Sequence, residues 1–380
     1  MTTCDKHPGI LILAGAWTVL TLFLTVPLLS HAAESSPAAV PTETDMAIPA
    51  SGTPTPGESH TVKLSSNILV LTSGTSRQLR ASIRPVPTDP YLFTWSSEDP
   101  SILEVSETGL ARAFSPGFTK IVYTFVCGDE IVREHCTVSV VPAGNLHEIA
   151  DSMDNWTWKA YYHAIANLRV RKKPWRNILC IGDSVTAGVQ AGEAKNPWMP
   201  TYPATISALL NIPVYNHGRG GASIWSGGNY TVTDSLTEFP GIDAVFLMGG
   251  YNDWFYGEQC PLGDVNTPGT FTYDFQALCD RIAALYPAAE VYVVLPPTPH
   301  AHTGIEPYYD FSLLKAAERE VAEAHDFYVL NLPAEDILNG LEEDTWHAFF
   351  SDHVHLNDHG YLVLGSVIAD KAMQARAAGR

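Results

Sequence analysis

Apolar and polar positions change rhythm several times along the chain. Residues 10–29 (ILILAGAWTVLTLFLTVPLL) form one uncharged apolar run, about as long as a helix needs to cross a bilayer. Residues 34–60 show no apolar period and are rich in Pro, Ser, Thr and Ala. Such a stretch buries no core and reads as a spacer. Between 61 and 142, short β-branched and aromatic runs at 68–71, 78–83, 92–95, 102–105, 110–113, 119–126 and 131–141 alternate with turn residues. Short strands at this spacing predict an all-β sandwich. Residues 143–173 form a connector with Trp156, Trp158, Tyr161, Tyr162 and a basic cluster, Arg169-Val170-Arg171-Lys172-Lys173. Its aromatic side chains predict packing onto the domain that follows. From 174 to 380, apolar strands at 177–181, 214–216, 244–248, 290–295 and 328–331 alternate with helical stretches at 202–210, 273–286, 311–325 and 358–378. Near-continuous apolar strands mean a parallel sheet covered on both faces, a three-layer α/β domain. Chemistry in such sheets lies just beyond the carboxyl ends of the strands.

The N-terminal run sets the compartment. Lys6 precedes it, and Ser30-His31-Ala32-Ala33 follows. Small residues at the last and third-last positions fit cleavage after Ala32, so residues 1–33 read as an export signal, with an uncleaved anchor as the alternative. Pro27 favours cleavage, and no Cys follows the run to carry a lipid. Either way the remainder lies outside the cytoplasm, secreted or at the cell surface, with any membrane tether confined to this segment. Composition narrows the picture further. A net charge of −19 repels phosphate backbones and argues against nucleic acid as a partner. Six cysteines without a CxxC pair give neither a disulfide scaffold nor a structural zinc site. If Gly128-Asp129 is a hairpin turn, Cys127 faces Glu130 and Cys136 faces Ile121. Those thiols are then roughly 20 Å apart along the strand and cannot pair. A pairing of Cys260 with Cys279 stays open, and Cys180 reads as a small core residue.

Four short motifs carry candidate chemistry. The first strand of the parallel sheet ends in Gly182-Asp183-Ser184, where the turn would present the Ser184 hydroxyl to the cleft. Alone it is equally an ordinary turn or helix cap. The second strand runs into Asn216-His217-Gly218-Arg219-Gly220-Gly221, whose glycines let backbone N–H groups approach a ligand, or merely make a loop. The third ends in Gly250-Tyr251-Asn252-Asp253, and Asn252 could aim an amide into the same cleft or cap a helix. Late in the chain, Asp352-His353-Val354-His355 sets a carboxylate three residues before a histidine. It can hold one ring nitrogen and leave the other free as a base. Each signal is weak alone; together, in order and with three of them at the strand ends of one sheet, they are strong.

With these four blocks the chain resembles the SGNH hydrolase family, also called GDSL-type esterases, over roughly the last 200 residues. The resemblance implies a flavodoxin-like sheet and a serine ester hydrolase. Ser184 would be the nucleophile, His355 the general base and Asp352 the group that orients it. The Ser184 and Gly221 backbone N–H groups and the Asn252 side chain would form the oxyanion hole. Neither a metal nor a cofactor is implied. Ala222-Ser223 stands where many members have Asp-Thr or Asp-Ser, which removes an expected support from the second loop. Trp225, Trp254, Phe255 and Tyr256 follow the second and third blocks and are candidates for a substrate pocket or for ordinary packing. In the first domain, Trp95 to Ser106, Gly109 to Ala113, Gly117 and Cys136 to Val140 are similar to a bacterial Ig-like domain of group 2, which implies a display or adhesive module.

The substrate expected on these grounds is an O-acyl ester, lysophospholipid-like or part of a surface glycan. Two rivals compete. His353-x-His355 and His300-x-His302 could ligate zinc from one strand face in a metal hydrolase. A catalytically dead adhesin would need at least one decayed block, and none has decayed. Because all four blocks lie beyond Ala143, the hydrolase domain is also expected to work when cut from the Ig-like module.

Overall fold

The computed structural model describes residues 59–170, 174–189, 201–300, 308–332 and 337–379. The segment expected as an export signal at 1–33, the spacer as far as residue 58, Arg171 to Lys173 and His302 lie outside the described residues.

Period-two burial builds the N-terminal domain. Its strands are β1 (Thr61–Leu64), β2 (Ile68–Thr72), β3 (Ser76–Gln78), β4 (Ala81–Arg84), β5 (Tyr91–Ser97), β6 (Leu103–Val105), β7 (Leu110–Ala113), β8 (Gly117–Cys127) and β9 (Glu130–Val141). They form sheets of order β2-β9-β8-β5, β3-β7-β6 and β1-β4. In β8, Thr119, Ile121, Tyr123 and Phe125 point inward and are buried, and the residues between them face outward. Two details depart from the sequence reading. The run expected as one strand at 78–83 splits into β3 and β4, in different sheets. Leu79 turns into the core at 1% exposure and its N–H donates to Gly109 O at 2.9 Å. The four-residue strand β1 was hidden at the end of the polar spacer. In the β8–β9 hairpin, Cys127 lies opposite Glu130 and Cys136 opposite Ile121, as the turn geometry requires. Cys127, Cys136, Cys180, Cys260 and Cys279 are all free thiols, so the open question of a Cys260–Cys279 bridge is answered against pairing.

The connector is helical: α1 (Leu146–Asp151) and α2 (Trp156–Leu168), capped by the side chains of Asn145 and Asn155. Then follow β10 (Ile178–Gly182), α3 (Ser184–Ala187), α4 (Tyr202–Leu210), β11 (Val214–Gly218), β12 (Ala244–Met248), α5 (Tyr251–Phe255), α6 (Phe271–Leu285), β13 (Glu290–Leu295), α7 (Phe311–Ala324), β14 (Tyr328–Asn331), α8 (Glu343–Phe349) and α9 (Asp358–Ala378). The five strands pair in parallel in the order β11-β10-β12-β13-β14, the flavodoxin-like order. Every residue of β10 and β12 is buried, as strands covered on both faces must be. The order switches direction at β10, with β11 on one side and β12 on the other, which places the candidate cleft at the carboxyl end of β10.

The two domains share a core. Ile68 and Val141 of the sandwich belong to the same hydrophobic cluster as the parallel sheet, and Phe118 packs against it. Tyr161 of α2 donates to Ser139 Oγ of β9 at 2.7 Å. A cut at residue 142 would uncover the apolar surface against which Ile68, Phe118 and Val141 pack and remove the partner of the Tyr161 hydroxyl.

Candidate active site

The three loops at the carboxyl ends of β10, β11 and β12 fit together because small residues let backbones touch. Gly182 pairs with Gly218 in β11 and Met248 in β12. A Cβ at Gly182 would lie 1.9 Å from Met248 O, so no larger residue fits. Asp183 then caps α3, its Oδ1 accepting from Val185 N–H at 3.0 Å. This leaves Ser184 at the first position of the helix, buried to 7% exposure. The second loop is tied to the first by Arg219 N–H donating to Gly182 O at 3.0 Å and Asn216 Nδ2 donating to Thr186 O at 2.9 Å.

Ser184 meets the loop between α8 and α9. Its Oγ lies 2.9 Å from His355 Nε2. On the far side of the ring, His355 Nδ1 lies 2.8 Å from Asp352 Oδ2. The other oxygen, Oδ1, accepts from the N–H groups of Val354 at 2.8 Å and His355 at 2.6 Å. Burial works to raise the Asp352 carboxyl, but the bonds from the His355 ring and these two amides outweigh it and hold the group below its ordinary value. A carboxylate that stays ionised against an imidazole, which in turn faces a hydroxyl, can draw a proton off that hydroxyl.

Gly221 sits in the second loop with φ +73, in the left-handed region that favours glycine, and a Cβ there would meet open space. Asn252, on the short helix α5, donates from Nδ2 to Ala222 O at 2.8 Å, next to Gly221. The missing support of the second loop comes from its neighbour Asp253, to which the sequence reading gave no role. This fully buried carboxylate accepts from Ile224 N–H at 2.9 and 3.0 Å, through its two oxygens, and from Trp225 N–H at 2.7 Å. Burial pushes it up to about 6, against the pull of those amides. The first-loop carboxyl of Asp183, buried and close to Asp253, is pushed up to about 7. The signal in the sequence was the Asn-Asp pair itself: Asn252 bonds Ala222 O and Asp253 bonds the amides of Ile224 and Trp225, all on the second loop.

The aromatic candidates divide. Trp254 is in the interior, its indole N–H donating to Tyr309 O at 2.9 Å and its ring against Phe311. It is therefore packing and not a pocket wall. Trp225, Phe255 and Tyr256 are half-buried, and Trp225 meets Tyr256 edge-on. The histidine pair also divides. His355 turns to Ser184, while His353 lies parallel to Trp346 and edge-on to His300. Among the described residues no three His, Cys, Asp or Glu side chains gather as a metal site.

The sheet order is flavodoxin-like, with Ser184 at its switch point, and family models match both domains. Residues 180–363 match the GDSL-like Lipase/Acylhydrolase family, and residues 59–129 match the bacterial Ig-like domain (group 2). The C-terminal domain belongs to that family of ester hydrolases, and an Ig-like domain precedes it. Similar solved structures include a protein from Lactobacillus plantarum (18% identity, 53% of this chain and 97% of that one, TM-score 0.47). Another is the lipase/acylhydrolase from Enterococcus faecalis (20% identity, 52% and 96%, TM-score 0.39). A third is a family two carbohydrate esterase from Clostridium thermocellum, solved with cellohexaose (16% identity, 54% and 65%, TM-score 0.37). No curated protein matches the chain.

Proposed function

We propose that this protein is an exported serine esterase that cleaves O-acyl esters of surface glycans. Ser184 Oγ attacks the ester carbonyl as its proton passes to His355 Nε2, and Asp352 holds the ring in the tautomer that can accept it. The carbonyl oxygen becomes an oxyanion facing the N–H groups of Ser184 and Gly221 and the side chain of Asn252. An amide carries two N–H donors, so the tie from Asn252 to Ala222 O leaves one for the oxyanion. The alcohol leaves with the proton from His355. Water, deprotonated by the same ring, then releases the acid from Ser184.

One observation carries this reading: the unbroken chain from Ser184 Oγ to His355 Nε2 at 2.9 Å and from His355 Nδ1 to Asp352 Oδ2 at 2.8 Å. What supports an external site is the export segment at 1–33 and the Ig-like domain that follows the spacer. A site held outside the cell meets acylated polysaccharide before it meets cytoplasmic metabolites. The test sets p-nitrophenyl esters of increasing chain length beside acetylated xylan and lysophosphatidylcholine. Preference for acetyl esters and release of acetate from xylan are expected. Preference for long chains and turnover of lysophosphatidylcholine would replace the glycan with a lipid substrate.

A further inference from the structure

The loop that carries Asp352 and His355 rests on the Ig-like domain at both ends. Helix α8 stops at Phe349 and α9 starts at Asp358. Between them the loop closes on itself. Phe350 and Leu356 form an isolated antiparallel bridge, Asn357 N–H donates to Phe349 O at 3.0 Å, and Ser351 N–H donates to His355 O at 2.8 Å. A segment closed so tightly at its base moves largely as one piece, so the orientation of its base sets where His355 points.

That base is gripped by the outward face of β8. The Phe118 ring meets Phe349 edge-on at 6.2 Å and stacks on His359 at 4.6 Å with the planes 14° apart. Two residues on, on the same strand face, Lys120 Nζ lies 2.7 Å from Asp358 Oδ2, on a carboxylate only 4% exposed. His135 of β9 lies 3.8 Å from the same oxygen. Burial, with Lys120 close by, pushes His359 down to about 4, so its ring stacks on Phe118 uncharged at neutral pH. One aromatic side chain thus touches the last residue of α8 and the second residue of α9, and one cation holds the residue between the loop and that contact.

We propose that Phe118 and Lys120 of the Ig-like domain are positioning residues for His355, so that the Ig-like domain is part of the catalytic unit and not only a display module. The proposal rests on the Ser184–His355–Asp352 reading given above. A misplacement of a reacting group by about 1 Å costs on the order of 10²-fold in rate. Release of the loop base acts on kcat and leaves the ester-binding surface alone.

The test uses the full chain with Phe118→Ala, Phe118→Leu, Lys120→Met and Lys120→Arg. Leu92→Ala, on the exposed side of β5, is the control, and His355→Ala the reference for a lost base. Each variant is assayed well below its own melting midpoint for kcat, KM and the rate of labelling by a fluorophosphonate. Phe118→Ala and Lys120→Met are expected to lower kcat about 10-fold or more, with KM within about twofold, and to slow labelling in parallel. Phe118→Leu and Lys120→Arg should recover most of the loss, and Leu92→Ala should match the unaltered protein. Should Phe118→Ala not fold, the Lys120 pair decides alone. An inactive His355→Ala beside fully active Phe118→Ala and Lys120→Met would overturn the positioning role. An active His355→Ala would instead overturn the triad reading beneath it.

Discussion

Replacing Asp253 by alanine separates loop support from fold stability. Three contacts are lost: Ile224 N–H to both carboxylate oxygens at 2.9 and 3.0 Å, and Trp225 N–H to Oδ1 at 2.7 Å. Two backbone donors are left without a partner, at about 1–3 kcal/mol each, or roughly 2–6 kcal/mol together. The carboxylate itself is costly. Burial raises it from 3.8 to about 6. Keeping it ionised at neutral pH therefore costs about 3 kcal/mol, which the substitution relieves. The net effect lies between a gain of about 1 kcal/mol and a loss of about 3 kcal/mol, while the loop that carries Gly221 is set free. Asp253→Ala should therefore stay folded and lose about 10²-fold in kcat. Asp253→Asn keeps the Oδ1 acceptor that serves both amides and drops the charge. It should melt at the same temperature or higher and keep kcat within several-fold. The assay is kcat and KM on p-nitrophenyl acetate beside a urea melt. Wild-type kcat in Asp253→Ala, or equal damage in both variants, would refute the idea that Asp253 holds the loop.

Other substitutions bear on the same site. Asn252→Ala should lower kcat about 10²- to 10³-fold with little change in KM, because the oxyanion exists only in the transition state; a pure KM effect in steady-state kinetics would make it a binding residue. His355→Ala should be nearly inactive and His353→Ala mild, since His353 stacks on Trp346; equal loss at both in the same assay would favour the zinc reading. Stability should also depend on pH in a set direction. Asp183 and Asp253 are raised from 3.8 to about 7 and about 6 when folded, so the stability tied to their protonated forms is full below 3.8 and is lost as pH rises through 6 and 7. Asp352 is held below 3.8, so its contribution is present above that value and is lost as pH falls beneath it. The melting temperature should therefore peak on the mildly acidic side and decline towards pH 8, with Asp183→Asn flattening that decline; a maximum at pH 8 in a calorimetric series would contradict the assignment.

What could be read from the sequence, and what could not, follows physical lines. β10 and β12 were legible because strands buried on both faces are apolar at every position. Three of the four motifs were legible because strand ends fix where they fall, and the fourth because a carboxylate stands three residues before a histidine. The role of Asp253 was not: the Asn-Asp pair marks its position, but nothing local shows that it accepts backbone bonds from Ile224 and Trp225 in a distant loop. Helix α8 was missed because Glu343–Phe349 carries too few apolar positions to show a helical period. The grip of Phe118 on the histidine loop was invisible for a different reason. An outward aromatic on a sandwich strand looks like any exposed residue until its partner, more than 200 residues away in sequence, is placed beside it.

The central claim is that Ser184, made reactive by His355, is the atom that attacks the ester. The most direct measurement is to react the intact protein with a fluorophosphonate, follow the loss of esterase activity and map the modified peptide. One adduct per chain on Ser184, activity lost in step with labelling, slow labelling in His355→Ala and no effect of a chelator are the predicted results. Full inactivation by a chelator with recovery on adding zinc, and no adduct on Ser184, would contradict the account.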